Sequence, residues 1–184
     1  DTEYFVMSIN GEYGIISRTG EIIAPAKYFM INPGRNGFFT AFRKFGEKDS
    51  VTNSLGLTLL NSKGEELFTP KTEYNIVGEE GDGLIPAGKN DPYGNKKFMC
   101  YIDHNGDPIS LLWGNFDNAW GFSNGFAIVK RDGKYGIINT KGTLVENCVY
   151  EELTRSANYP ELFEAYISGA KVYLQPGGNH YWKK

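Results

Sequence analysis

Side chains able to do chemistry are few and scattered in this sequence. His104 lies in DHNG and His180 in NHYW. Two isolated histidines supply neither the convergent ligands a metal needs nor a paired acid and base. Ser123, in GFSNG, sits among turn residues without the strand–turn–helix setting of a nucleophilic serine. Glu65-Glu66, Glu79-Glu80 and Glu151-Glu152 are the residue type used in glycoside hydrolysis, but such pairs also arise on any solvated face. No GxSxG, phosphate loop or dinucleotide fingerprint occurs. Cys100 and Cys148 match no zinc or redox spacing. They read as small apolar residues, with a disulfide between them as the alternative. The expectation is therefore a noncatalytic chain, with no catalytic residue, cofactor or metal assigned.

What recurs is a pattern of strands and turns. NGEYGIISRTG at 10–20 returns as DGKYGIINTKG at 132–142. A glycine closes a short turn at Gly20, Gly64, Gly106 and Gly142, and an aromatic follows each, at Tyr28, Tyr74, Phe116 and Tyr150. A glycine before an apolar pair comes next, at Gly37, Gly83 and Gly125, and its offset from the preceding aromatic is the same each time. Phe126–Lys130 reads as a strand, Asp132-Gly133 as a tight hairpin turn, Tyr135–Ile138 as a second strand and Thr143–Val145 as the start of a third. Tyr4–Met7 occupies the place of Phe126–Val129, and 165–167 with 172–174 form a last, degenerate hairpin. NYPELFEAY at 158–166 has room for one turn of helix.

The 184 residues thus divide into units of roughly 4–36, 37–82, 83–124 and 125–161, with a partial unit at 162–184. The fold class is all-β: tandem units of about three short antiparallel strands, stacked as an open, solenoid-like array, with a propeller-like ring as the alternative. High aromatic (15%) and glycine (23 residues) content agrees.

These residues resemble the bacterial WG-repeat (KWG-repeat) family. GEYGIISRTGEIIAPAKY and GKYGIINTKG carry the resemblance most fully, and it covers most of the chain. Tyr13 and Tyr135 replace the tryptophan of the aromatic-glycine pair, and the middle units depart further, with Leu57-Thr58 and Met99-Cys100 in its place. The resemblance implies tandem β-units and no common enzymatic activity. On physical grounds Tyr13 and Tyr135 are expected to pack on neighbouring units, and Gly14 and Gly136 to permit a close approach. Pro25 and Pro70 mark where the third strand leaves the sheet.

A net charge of −3 with scattered lysines and arginines leaves no nucleic-acid footprint. No apolar run approaches the ~18 residues of a membrane span. The N-terminal DTEYFVMSI lacks the shape of a signal peptide, so a leader has been removed or the chain is part of something longer. Localisation stays open, with a lean toward the cell envelope or exterior; the oligomeric state is not set.

Two regions are candidates for binding. The second and third units lengthen one hairpin by insertions at 43–53 and 88–97, and equivalent loops of a repeat array share a side. Lys44, Phe45, Lys48, Lys89, Tyr93, Lys96 and Lys97 are expected to form one polar surface there. LLWGNFDNAWGF at 111–122 is the other, where Trp113 and Trp120, with Phe116 and Phe122, make either an aromatic platform or core packing. The leading expectation is a scaffold binding a protein or cell-envelope partner. A carbohydrate-binding module is the second, to be recognised by a row of exposed aromatics at equivalent repeat positions. An enzyme or enzyme inhibitor with its site in the inserted loops is the third.

Overall fold

The computed structural model of the chain describes all residues except 1–2, 35, 46–53, 69–70, 72–73, 91–96, 110–115, 160, 179 and 183–184. Among the described residues there is no helix, hence none long and apolar enough to cross a membrane. The strands form five small antiparallel sheets. The first contains β1 (Tyr4–Ile9), β2 (Glu12–Ser17) and β3 (Ile22–Tyr28). The second contains β4 (Met30–Pro33), β5 (Phe39–Phe45) and β6 (Ser54–Leu60), and the third β7 (Ile76–Val77), β8 (Ile85–Asn90) and β9 (Lys97–Ile102). The fourth has four strands, β10 (Asn118–Ala119), β11 (Phe126–Arg131), β12 (Lys134–Asn139) and β13 (Leu144–Tyr150). So does the fifth, with β14 (Glu152–Arg155), β15 (Phe163–Ile167), β16 (Ala170–Leu174) and β17 (His180–Trp182).

Local chemistry explains the hairpins. Asp132 and Gly133 have φ of 51° and 77° between the paired Arg131 and Lys134, the left-handed pair a two-residue turn requires. Asn10-Gly11 and Ser168-Gly169 repeat this in the first and fifth sheets. The fourth sheet displays a full unit: a short strand after the aromatic of the preceding unit, a hairpin, and a closing strand ending in its own aromatic. In the second and third sheets the described residues of that closing segment form isolated bridges, Leu57 with Lys71 and Leu60 with Glu66, then Met99 with Phe116 and Ile102 with Pro108.

The sheets stack face to face with a separate apolar core in each gap. Ile15, Ala24 and Tyr28 meet Ile31, Phe39 and Leu60 between the first two sheets. Phe42, Leu57 and Leu59 meet Ile85, Ala87 and Ile102 between the second and third. Met99, Tyr101 and Phe116 meet Ala127, Val129 and Ile138 in the next gap, and Ile137 and Tyr150 meet Leu153, Phe163 and Val172 in the last. All four closing aromatics, Tyr28, Tyr74, Phe116 and Tyr150, are buried. The outer face of the first sheet exposes Phe5, Ile9 and Ile22, so the fifth sheet does not cover it and the array is open.

Two expectations need correction. The segment at 158–166 forms no helix among its described residues; Phe163–Ile167 is a strand because Phe163 and Ala165 alternate into the last core. Tyr13, at the hairpin end of the first sheet, is exposed instead of packing on a neighbouring unit. Tyr135 does pack against the last core.

Candidate functional site

Among the described residues, a concave surface lies where the fourth sheet meets the fifth. Trp120 follows the edge strand β10, with its N–H donating to the Ile128 carbonyl at 3.0 Å. Its own carbonyl accepts from the buried Tyr101 hydroxyl at 2.8 Å. The backbone is thus held on both sides while the side chain stays 38% exposed. The indole lies 5.8 Å from the Tyr135 ring, tilted by 39°. Lys130 Nζ sits 4.7 Å over the other part of this pair, the Tyr135 ring. Ile128 and Trp120 border two adjoining clefts of about 340 and 590 Å³.

The opposite wall is β14, with Glu152 and Thr154 exposed and Arg155 half-buried. β14 is the edge of its sheet, so one row of its backbone groups faces the groove side without a ladder partner. Arg155 clamps the two sheets: Nη2 donates to the carbonyls of Ser123 and Phe126, and the guanidinium lies 4.6 Å over the Phe163 ring. The site is therefore amphipathic and bordered by an open strand edge. It offers an aromatic anchor, hydrogen-bonding groups and mixed charge.

Of the partner-binding candidates read from sequence, Trp120 is the one that lines this groove among the described residues; Tyr135, expected to pack on a neighbouring unit, lines it as well. Phe116 and Phe122 are core residues, and Trp113 lies outside the described residues. Lys44 is exposed, with Nζ 5.4 Å over the Phe29 ring. Lys48, Tyr93 and Lys96 lie outside the described residues, as do the side chains of Phe45, Lys89 and Lys97. The two inserted segments join β5 to β6 and β8 to β9, closing on the pairs Phe45–Ser54 and Asn90–Lys97. They thus leave equivalent hairpins of adjacent sheets. Sequence reading missed Arg155 and Thr154 and noted Glu152 only as half of an acidic pair, because ELTR carries no repeated signature; only the stacking of two sheets brings it to Trp120.

Elsewhere, His104 Nε2 lies 3.1 Å from Oε1 of the buried Glu80, and its ring lies 4.3 Å from that of Phe38. Glu80 Oε1 also accepts the Gly83 N–H at 3.0 Å. These polar contacts lie within the third unit, and the Phe38 ring meets them from the second. Among the described residues no three histidine, cysteine or acidic side chains converge as metal ligands would. Cys100 and Cys148 are both free thiols, in different gaps of the stack.

No curated protein matches the chain. Residues 13–44 and 101–135 match the WG containing repeat. Each matched segment runs from the closing half of one sheet into the opening half of the next, so the family's unit straddles a gap in the stack. At those two stretches the chain therefore carries the WG containing repeat.

Proposed function

We propose that this chain is a noncatalytic interaction scaffold that binds an extended peptide segment of a protein partner in the groove at Trp120. The observation that carries this reading is an exposed tryptophan fixed beside the open edge of β14. An extended segment laid along that edge gains main-chain hydrogen bonds, and Trp120 supplies the apolar anchor typical of binding hot spots. Glu152 and Thr154 give the rim polar contacts.

A sugar platform is the competing reading, since an exposed indole also stacks on pyranose faces. It is less favoured because the pair is not repeated: Tyr13 is the exposed counterpart of Tyr135, but no described unit repeats Trp120 beside it. The positions equivalent to Trp120, counted back from Gly83 and Gly37, are Gly78 and Asn32. Those equivalent to Tyr135 include the buried Leu57 and Met99. A single aromatic pair suits one anchoring side chain better than a run of sugar rings.

Phage-displayed peptides selected on the immobilised chain, with Trp120→Ala as the counter-selection, test this. Enriched peptides should lose about tenfold or more in affinity on Trp120→Ala, while the circular-dichroism melting curve stays in place. Binding on a glycan array that requires Trp120 would replace the peptide reading with the sugar one. The absence of any Trp120-dependent ligand in both screens would overturn the groove as the site.

A further inference from the structure

The turn at Ser123–Phe126 joins β10 to β11 and is gripped from both neighbouring sheets. On one side Asp82, in the turn between β7 and β8, accepts the Gly125 N–H on Oδ2 at 2.7 Å. On the other, Arg155 of β14 donates to the carbonyls of Ser123 and Phe126. This one turn thus ties the fourth sheet to the third and to the fifth. Its central residues, Asn124 and Gly125, have φ of 53° and 81°, the left-handed pair of a two-residue turn.

Asn-Gly is also the pair most open to spontaneous deamidation. The glycine nitrogen gives up its proton to solvent and attacks the asparagine Cγ. The Cγ–Nδ2 bond breaks, ammonia leaves and a five-membered succinimide closes. Water then opens the ring at either carbonyl, to aspartate or isoaspartate. Glycine favours the attack because it has no Cβ to obstruct it. Asn124 is exposed, so water reaches it. Asp82 stands against the reaction. Its carboxylate holds the proton that has to leave, and its charge disfavours a negative nitrogen beside it. Asn105-Gly106 is guarded differently, within its own turn: the Gly106 N–H donates to the Asp103 carbonyl at 3.0 Å, and Asn105 Nδ2 to Asp103 Oδ2 at 3.1 Å. The guard on Asn124 comes from another sheet, so it lasts only while the third and fourth sheets stay docked there.

We propose that Asn124 is a deamidation site held in check by Asp82, and that its reaction loosens the junction of the third, fourth and fifth sheets irreversibly. Asp82-Gly83 adopts the same left-handed pair, so the turn itself accepts an aspartate. The aspartyl product, however, sets a second negative charge beside the Asp82 carboxylate. The isoaspartyl product adds a main-chain atom between the two carbonyls that Arg155 holds. Either product opposes re-formation of the contacts whose opening let it form.

Peptide mapping by mass spectrometry, with fragmentation to localise the change, tests this on the full chain incubated at mildly alkaline pH. Native Asn124 should convert more slowly than in the same chain held in guanidinium chloride. Asp82→Ala should speed conversion at Asn124 about three- to tenfold, the worth of an exposed charge-assisted hydrogen bond. Asn105 should convert as in the wild type. Asp82→Asn still accepts the N–H but carries no charge, so it should fall between, and it carries the test if Asp82→Ala misfolds. Asn124→Asp should speed hydrogen exchange at the Gly125 amide by a similar factor. Native conversion at the denatured rate, no acceleration in either Asp82 variant, slower conversion that would make Asp82 a base, equal acceleration at Asn105, or an unmoved Gly125 amide in Asn124→Asp would each overturn the proposal.

Discussion

Asp103 occupies the position held by Ser17, Asn61 and Asn139 in the other units. In each unit this side-chain oxygen accepts the backbone N–H four residues on, at 3.1 Å from Glu21, 3.1 Å from Glu65, 2.9 Å from Asp107 and 3.0 Å from Thr143. The same residue's carbonyl accepts the N–H of the turn-closing glycine, at 3.0 Å in the case of Gly106 and Asp103. Ser, Asn and Asp serve alike because the turn needs one short-armed acceptor. Asp103 alone brings a charge. Partial burial pushes its carboxyl up, but the N–H groups of Asp107 and Asn105 outweigh this and hold it below the ordinary carboxylate value. A carboxyl so depressed adds stability above its unfolded pKa and loses it as pH falls through the folded value. Asp103→Ala should cost about 1 kcal/mol at neutral pH. Asp103→Asn should be nearly neutral there and should flatten the loss of stability on acidification. Urea unfolding of the three proteins at neutral and acidic pH checks both expectations. The turn itself was legible in SRTG, NSKG, DHNG and NTKG; the shared acceptor was not singled out, because three residue types fill it.

At the scale of the element, the glycine of the aromatic-glycine pair shapes the closing strand. Tyr135 pairs with Tyr150 and Ile137 with Glu146, so three residues of β13 bulge opposite Gly136 alone. Tyr13 with Tyr28 and Ile15 with Ala24 reproduce the bulge opposite Gly14. A Cβ on Gly136 would stand 2.7 Å from the Glu146 carbonyl oxygen, and one on Gly14 2.6 Å from that of Ala24. Where Thr58 or Cys100 replaces the glycine, the described residues of the closing segment pair through bridges, and the Thr58 hydroxyl donates to the Phe68 carbonyl at 2.8 Å. Gly136→Ala should therefore destabilise the chain by about 1–3 kcal/mol, because the intruding methyl meets backbone that has to shift. Equilibrium denaturation gives the value; a change within about 0.5 kcal/mol, the range of ordinary surface substitutions, would mean the bulge relaxes freely. The close approach was anticipated from the glycine; Pro25, read as the point where the third strand leaves the sheet, instead lies in a bulge inside β3, which pairs again at Tyr28, and Pro70 lies outside the described residues.

For the whole molecule, four separate cores mean that each gap protects its own residues. Cys100 lies deep in the gap between the second and third sheets, where burial pushes its thiol up to about 11. Cys148 is only half-buried, against the next gap, and burial raises its thiol as well. Iodoacetamide should modify Cys148 first in the native protein and reach Cys100 only on unfolding; equal native rates would mean that the second gap opens independently. The sequence by itself determined the all-β class, the turns, the buried aromatics at Tyr28, Tyr74, Phe116 and Tyr150, and the repetition of the unit. Those properties come from local backbone preference and from an apolar pattern that every unit must bury against a neighbour. Which side chains remain at the surface was decided only by the stacking of sheets. Trp120 and Phe122 are two residues apart in one aromatic run, yet one borders a groove and the other is core. Phe5 and Ala127 hold equivalent places, yet Ala127 is buried against the third sheet and Phe5 is exposed. Exposure is set by what lies across the gap, and that partner comes from a distant part of the chain.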